Sequence, residues 1–208
     1  MKTNIYKIVI IILLLAAGSS CNDNSEQPTS VFYYYSSEKI YLQQINDKIL
    51  LKFTSDANNE QISGIIGSNP SLQPMYNINV NETNPISIII LETKNGKPIS
   101  SATIESFKAN TEVVSVTYLY QYNGQRLQGL TDEFVVKLKD ATSYKQLQEL
   151  ADKNNCKIGS ENQFVKNQFM ISVSKTSKLD ALQTSNLFYE TGLFEFAEPN
   201  FIIFNPFS

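Results

Sequence analysis

Asp47-Lys48-Ile49-Leu50-Leu51-Lys52-Phe53 and Asp132-Glu133-Phe134-Val135-Val136-Lys137-Leu138 follow one plan: a polar pair, an apolar triplet, a lysine and a closing apolar residue. A short apolar run bounded by polar residues reads as a strand. Its recurrence in the second part of the chain points to two copies of one architecture.

A helix is expected after each opening strand. In the second copy, Ser143 with Gln146 three residues on has the capping-box pattern, and Tyr144, Leu147, Leu150 and Ala151 share a helical face. In the first, Ile62, Ile65 and Ile66 share a face and Gly67 ends the helix. Paired strands come next: Tyr76, Ile78 and Val80 in alternation, then Ile86 to Leu91, in copy one; Phe164-Val165, then Phe169, Ile171 and Val173, in copy two. Second helices are expected over residues 101–109 (Ile104, Phe107) and 177–189 (Leu179, Leu182, Phe188). Closing strands begin at Thr111-Glu112-Val113-Val114-Ser115-Val116 and Thr191-Gly192-Leu193-Phe194-Glu195-Phe196. The order β-α-β-β-α-β, twice, predicts an α+β protein of two tandem ferredoxin-like units, residues 47–124 and 125–208. Tyr122-Asn123-Gly124-Gln125 is the turn between them. One unit of ~75 residues buries only a small core, so the two are expected to pack together.

Ahead of the first copy, Val31-Phe32-Tyr33-Tyr34-Tyr35 and Ile40-Tyr41-Leu42 flank a short polar turn, which predicts a β-hairpin over residues 31–46. Aromatics in strands are packing groups more often than binding groups. Residues 21–30 are polar, with Pro28 and no periodic apolar pattern, and read as a flexible tether.

Residues 1–20 have the grammar of a secretory signal: Lys2 and Lys7, an apolar run from Ile8 to Ala17, then Gly18-Ser19-Ser20. The run is about half of the roughly 20 residues a spanning helix needs. Cys21 directly after the small residues resembles the acylated cysteine of a bacterial lipoprotein, although Gly18 stands where that pattern prefers Leu. The alternative is an ordinary signal peptide with a chance cysteine nearby. A lipidated Cys21 implies a chain held on a cell-envelope membrane, facing the periplasm or the exterior, because two or more acyl chains anchor stably.

Without residues 1–20 the chain carries 15 basic and 20 acidic residues, a net charge of −5. An acidic chain with no Lys/Arg cluster is a poor match for nucleic acid. There is no histidine, which excludes Ser-His-Asp and Cys-His arrangements and His-based zinc sites within the chain. With Cys21 lipidated, Cys156 has no disulfide partner and reads as a half-buried structural thiol. No residues suggest a catalytic centre, a metal site or a cofactor.

Residues 130–204 carry a resemblance. Glu133-Phe134-Val135-Val136-Lys137-Leu138 and, more specifically, Leu193-Phe194-Glu195-Phe196-Ala197-Glu198-Pro199-Asn200-Phe201 resemble the fervidolysin-type propeptide domain of subtilisin-like serine peptidases. The resemblance implies a sheet that packs on two helices of a peptidase, inhibiting it and assisting its folding. It also implies acids that cap helix N-termini, for which Glu198 is the best match and Glu195 the second, and an extended tail lying in the substrate cleft. That tail would be Ile202-Ile203-Phe204-Asn205-Pro206-Phe207-Ser208. On residue type alone, Glu195 could instead face solvent, Glu198-Pro199-Asn200 could end the strand, and the tail could pack on its own protein. Family members continue into an Asp/His/Ser catalytic domain, whereas this sequence stops at Ser208. The leading expectation is a non-enzymatic inhibitor or folding assistant of a subtilisin-like peptidase, acting in trans. The alternatives are the front part of a peptidase precursor, and a surface module binding a ligand through Tyr33 and Tyr35.

Overall fold

The computed structural model describes residues 30–79, 87–124 and 126–204. The signal segment, Cys21, the tether up to residue 29, Val80, Ile86, Gln125 and the tail residues Asn205, Pro206, Phe207 and Ser208 lie outside the described residues. The protein is a mixed α+β chain. Its order is β1 (Ser30–Tyr35), β2 (Glu38–Phe53), α1 (Asn59–Gly67), β3 (Leu72–Asn79), β4 (Ser87–Thr93), α2 (Ser101–Lys108) and β5 (Val113–Tyr122), followed by β6 (Arg126–Leu138), α3 (Tyr144–Lys153), β7 (Cys156–Glu161), β8 (Gln168–Val173), α4 (Ala181–Glu190) and β9 (Phe194–Phe204).

Local chemistry explains most of the boundaries. Ser36 and Ser37 both have positive φ (48° and 67°), as do Asn123 and Gly124 (50° and 69°), the geometry of tight turns that match strand twist. They join β1 to β2 and β5 to β6. Asn58 caps α1 and Asp180 caps α4, each in a reciprocal capping box with Gln61 and Gln183; Ser100 caps α2. The capping box expected at Ser143 does not form. Ser143 is already helical, and Asp140 does the capping, accepting from the N–H groups of Thr142 and Ser143 at the head of a 3-10 turn, Ala141–Ser143.

Three further expectations are corrected. Phe164-Val165 is no strand: Asn162 Oδ1 accepts from the backbone N–H of Phe164 (2.9 Å) and Val165 (3.2 Å), closing a turn, and Phe164 is 87% exposed. The strand paired with β8 is β7 instead. The last helix starts at Ala181, because Asp180 rather than Ser177 supplies the cap. Finally, the second strand of the hairpin and the first opening strand are one strand, β2, with a register irregularity between Ile45 and Ile49 against β5.

All the strands join one antiparallel sheet in the order β3-β4-β2-β5-β6-β8-β7, with β1 on β2 and β9 on β6. In the first half, Ile49, Leu51 and Phe53 of β2 point at Ile62 of α1 and Phe107 of α2. In the second, Phe134, Val136 and Leu138 of β6 meet Leu147 of α3 and Leu182 and Phe188 of α4. The period of two thereby places every second residue of both opening strands in a helix-covered core. At ~1.5–3 kcal/mol per fully buried large apolar side chain, these two clusters carry most of the stability.

A third cluster lies on the opposite face of the first half, where Leu50, Ile88, Ile90 and Leu119 enclose Phe204. The end of β9 thus belongs to the core rather than to a free tail. It gets there because β6 bulges: Thr131, Asp132 and Glu133 together face Asn200, between the pairs Leu130–Phe201 and Phe134–Pro199. Thr131 Oγ1 donates to the Asn200 carbonyl at 3.0 Å and bridges the irregularity. Accordingly Glu198-Pro199-Asn200 does not end the strand; Pro199 is tolerated because, among the described residues, β9 has a ladder on one side only. The halves are also joined by Lys52 and Asp132, a buried ion pair at 2.6 Å with Glu133 at 3.8 Å.

Candidate functional site

Among the described residues, the protease-contact candidates Glu195, Glu198 and Phe204 are spread along β9 rather than brought together. Glu195 is exposed at the start of β9. Glu198 is half-buried; burial raises its pKa, and the Ser36 backbone N–H, donating to it, pulls the other way. It is therefore occupied by the hairpin turn of its own chain. Ile202 and Phe204 are built into the sheet, and Phe204 is buried, which corrects the expectation of a free extended tail from residue 202. Cys156 donates weakly to the Asn154 carbonyl at 3.5 Å, and burial pushes its thiol up to about 11, so it is no nucleophile at neutral pH.

The tyrosines divide by environment. Tyr33 packs on Phe201 (ring centroids 5.5 Å apart) and Tyr34 stacks on Tyr189 (4.2 Å) and donates to Glu190 at 3.0 Å. Asn186 Nδ2 donates to the Phe32 carbonyl at 2.7 Å, completing the clasp of β1 on α4. Tyr35 alone of the run is strongly exposed, at 54%.

Two surfaces remain. One is the face of the second-half sheet turned away from α3 and α4. Val135 stands opposite Met170 on β8 and Glu198 on β9, and Lys137 stands opposite Phe196 and Gln168. Directly paired residues share a face, so Met170, Val135 and Phe196 form an apolar strip with Lys137 among them. Met170 is 36% exposed, and none of the three belongs to a packed cluster. In the first half the corresponding face is closed by Phe204.

The other is a cleft of about 280 Å³ between the halves. One wall is β5 and the bulge at Thr131 and Asp132; the other is the loop from Ser174 to Asp180 that enters α4. Lys175 Nζ reaches across and donates to the carbonyls of Asn110 (2.6 Å) and Val113 (3.0 Å). Burial raises the pKa of Asp180, while the N–H groups of Gln183 and Leu182 and the charge of Lys108 oppose the shift. Ser115 is buried, and its Oγ has no hydrogen-bond partner among the described residues. The cleft has no sequence motif; only the β6 bulge and the capped loop create it. No cluster of potential metal ligands occurs among the described residues.

No family model and no curated protein matches the chain. Among solved structures, the acetolactate synthase small subunit of Thermotoga maritima aligns over 77% of this chain and 98% of its own, at 13% identity and a TM-score of 0.28.

Proposed function

We propose that the protein is a non-catalytic, envelope-anchored module of two tandem βαββαβ units, the second of which docks onto a subtilisin-like serine peptidase as inhibitor or folding assistant in trans. The observation that carries the reading is the apolar strip of exposed Met170 and half-buried Val135 and Phe196 on a four-stranded face whose helices all lie behind it. The tandem architecture is supported by matching strand orders, β5-β2-β4-β3 and β9-β6-β8-β7. A sheet face of this kind suits packing across helices, and exposed Glu195 at its border suits a helix N-terminus with its unsatisfied N–H groups. Glu198 does not share that role in this reading, being held by Ser36. Contact runs through the face of the sheet rather than through residues 202–204.

The test is an inhibition assay with the purified chain against subtilisin-like peptidases from the same cell, together with refolding of the denatured peptidases. Micromolar inhibition that Met170→Arg abolishes, with unchanged thermal unfolding, supports the reading. No inhibition, no binding and no gain in refolding at that concentration would refute it. The anchor is tested separately: Cys21→Ala should move the protein from the membrane fraction to the soluble one.

A further inference from the structure

The cleft between the halves has a wall that only main chain can make. Ser115, Val116, Thr117 and Tyr118 all line it. Side chains of consecutive strand residues point to opposite faces, so four in a row can border one space only if the edge of the strand faces it. The pairings agree: β5 is laddered to β2 from Val113 onward, but to β6 only from Leu119 to Tyr122. Between Val113 and Tyr118 one edge of β5 has no strand partner among the described residues: Thr117 Oγ1 donates to the Leu130 carbonyl at 2.6 Å, and beyond Leu130 β6 turns away into its bulge at Thr131.

The charges at the ends of this edge differ. At the Val113 end stands Lys175, whose ammonium holds two carbonyls and, among the described residues, no carboxylate, leaving one N–H and a whole positive charge. Lys178 on the same loop is exposed, and no ion pair involves it among the described residues. The acids of the cleft are committed: Asp132 to Lys52 at 2.6 Å, and Asp180 to the first turn of α4, accepting from Gln183 N at 2.8 Å. Ile104, Val173, Leu179 and Ala181 supply apolar lining.

We propose that this cleft binds the C-terminal end of an extended peptide. Its last residues add to the open edge of β5 between Ser115 and Tyr118, its terminal carboxylate meets Lys175 and Lys178, and an apolar side chain enters beside Leu179 and Val173. Strand addition gives main-chain hydrogen bonds, and the carboxylate sets polarity and register. With the carboxylate at the Val113 end, the peptide runs antiparallel to β5, as does every other pairing in the sheet. The cleft volume, at the low end for ligand sites, limits the bound stretch to two or three residues. This site is separate from the sheet face proposed above, and neither depends on the other.

The probe is the tripeptide acetyl-Ala-Val-Leu with a free carboxylate, compared with its C-terminal carboxamide, titrated into the full chain and followed by amide NMR shifts and hydrogen exchange. The expected result is shifts and slowed exchange at Ser115, Val116 and Thr117, with the carboxamide about tenfold weaker, since charge-assisted hydrogen bonds exceed neutral ones. Lys178→Gln, at an exposed position, should weaken the free acid several-fold and leave the carboxamide unchanged. Lys175→Gln should do more; if it does not fold, the wild-type shift map and Lys178→Gln decide. No binding at about 5 mM, where weak ligands still register, would overturn the proposal. So would equal affinity for acid and carboxamide, or shifts that map outside the cleft.

Discussion

Gly129 lies on β6 against Leu50 and Phe204 of the third core, and replacing it by alanine tests that core directly. The residue is paired with Leu119 on one side and Ile202 on the other. A Cβ there would stand 2.3 Å from Leu50 Cδ1 and 3.2 Å from Phe204 Cε2. Leu50 is fully buried among Ile88, Ile90 and Leu119, so its methyl group cannot swing into solvent. Overpacking of this kind costs about 1–3 kcal/mol. Restricting the unfolded chain returns about 0.4–1 kcal/mol. Gly129→Ala should therefore destabilise by about 1–2 kcal/mol in urea denaturation, with an unchanged m-value. Leu50→Ala alone should cost about 2–5 kcal/mol through its cavity. In the double variant the new methyl group occupies part of that cavity, so the combined loss should fall short of the sum by about 1–2 kcal/mol. Wild-type stability in Gly129→Ala, or additivity within about 0.5 kcal/mol in the cycle, would refute the claim that this contact joins the halves.

Other perturbations read other parts of the fold. Asp132→Ala strands the Lys52 ammonium with only Glu133 at 3.8 Å; a loss of about 3 kcal/mol in urea is expected, and restoring stability with Lys52→Met in addition would attribute it to the orphaned charge. Asp140→Ala should lower the thermal unfolding midpoint by removing the cap of the 3-10 turn, whereas Ser143→Ala, where no side-chain cap bond exists, should change it much less. With its thiol pushed up to about 11, Cys156 should be about one part in a thousand thiolate at pH 8, so native alkylation by iodoacetamide should be far slower than in urea. For Asp180 the folded pKa is raised, so as pH rises the unfolded state loses its proton first and stability falls. Asp180→Asn, which keeps a capping oxygen, should gain on wild type as pH climbs through the carboxylate range, and a constant difference from pH 3 to 7 would contradict the buried carboxyl.

What could be read in the chain beforehand was whatever announces itself by period. Ile49-Leu50-Leu51 and Phe134-Val135-Val136 are short apolar runs with polar flanks, and they became the strands on which both helix-covered cores are built. β7 carries no such signal, because Cys156 and Ile158 are its only apolar residues and Lys157 and Glu161 face water. Phe164-Val165 had the composition of a strand, but Asn162 captured its backbone first. Lys52 and Asp132 both sit in the repeated motif, one as its lysine and the other in its polar pair. They are 80 residues apart, and only the bulge in β6 and the closure of the halves make them one buried pair. The apolar character of Ile202 and Phe204 was visible; their destination was not, since it depends on β9 resuming its ladder beyond Pro199. That resumed ladder closes the back of the first half with Phe204 and leaves the back of the second half open at Met170. The same bulge parts β5 from β6 and opens the cleft. Both candidate surfaces thus follow from one irregularity at Thr131, Asp132 and Glu133, which interrupts the repeat pattern exposed by the opening strands.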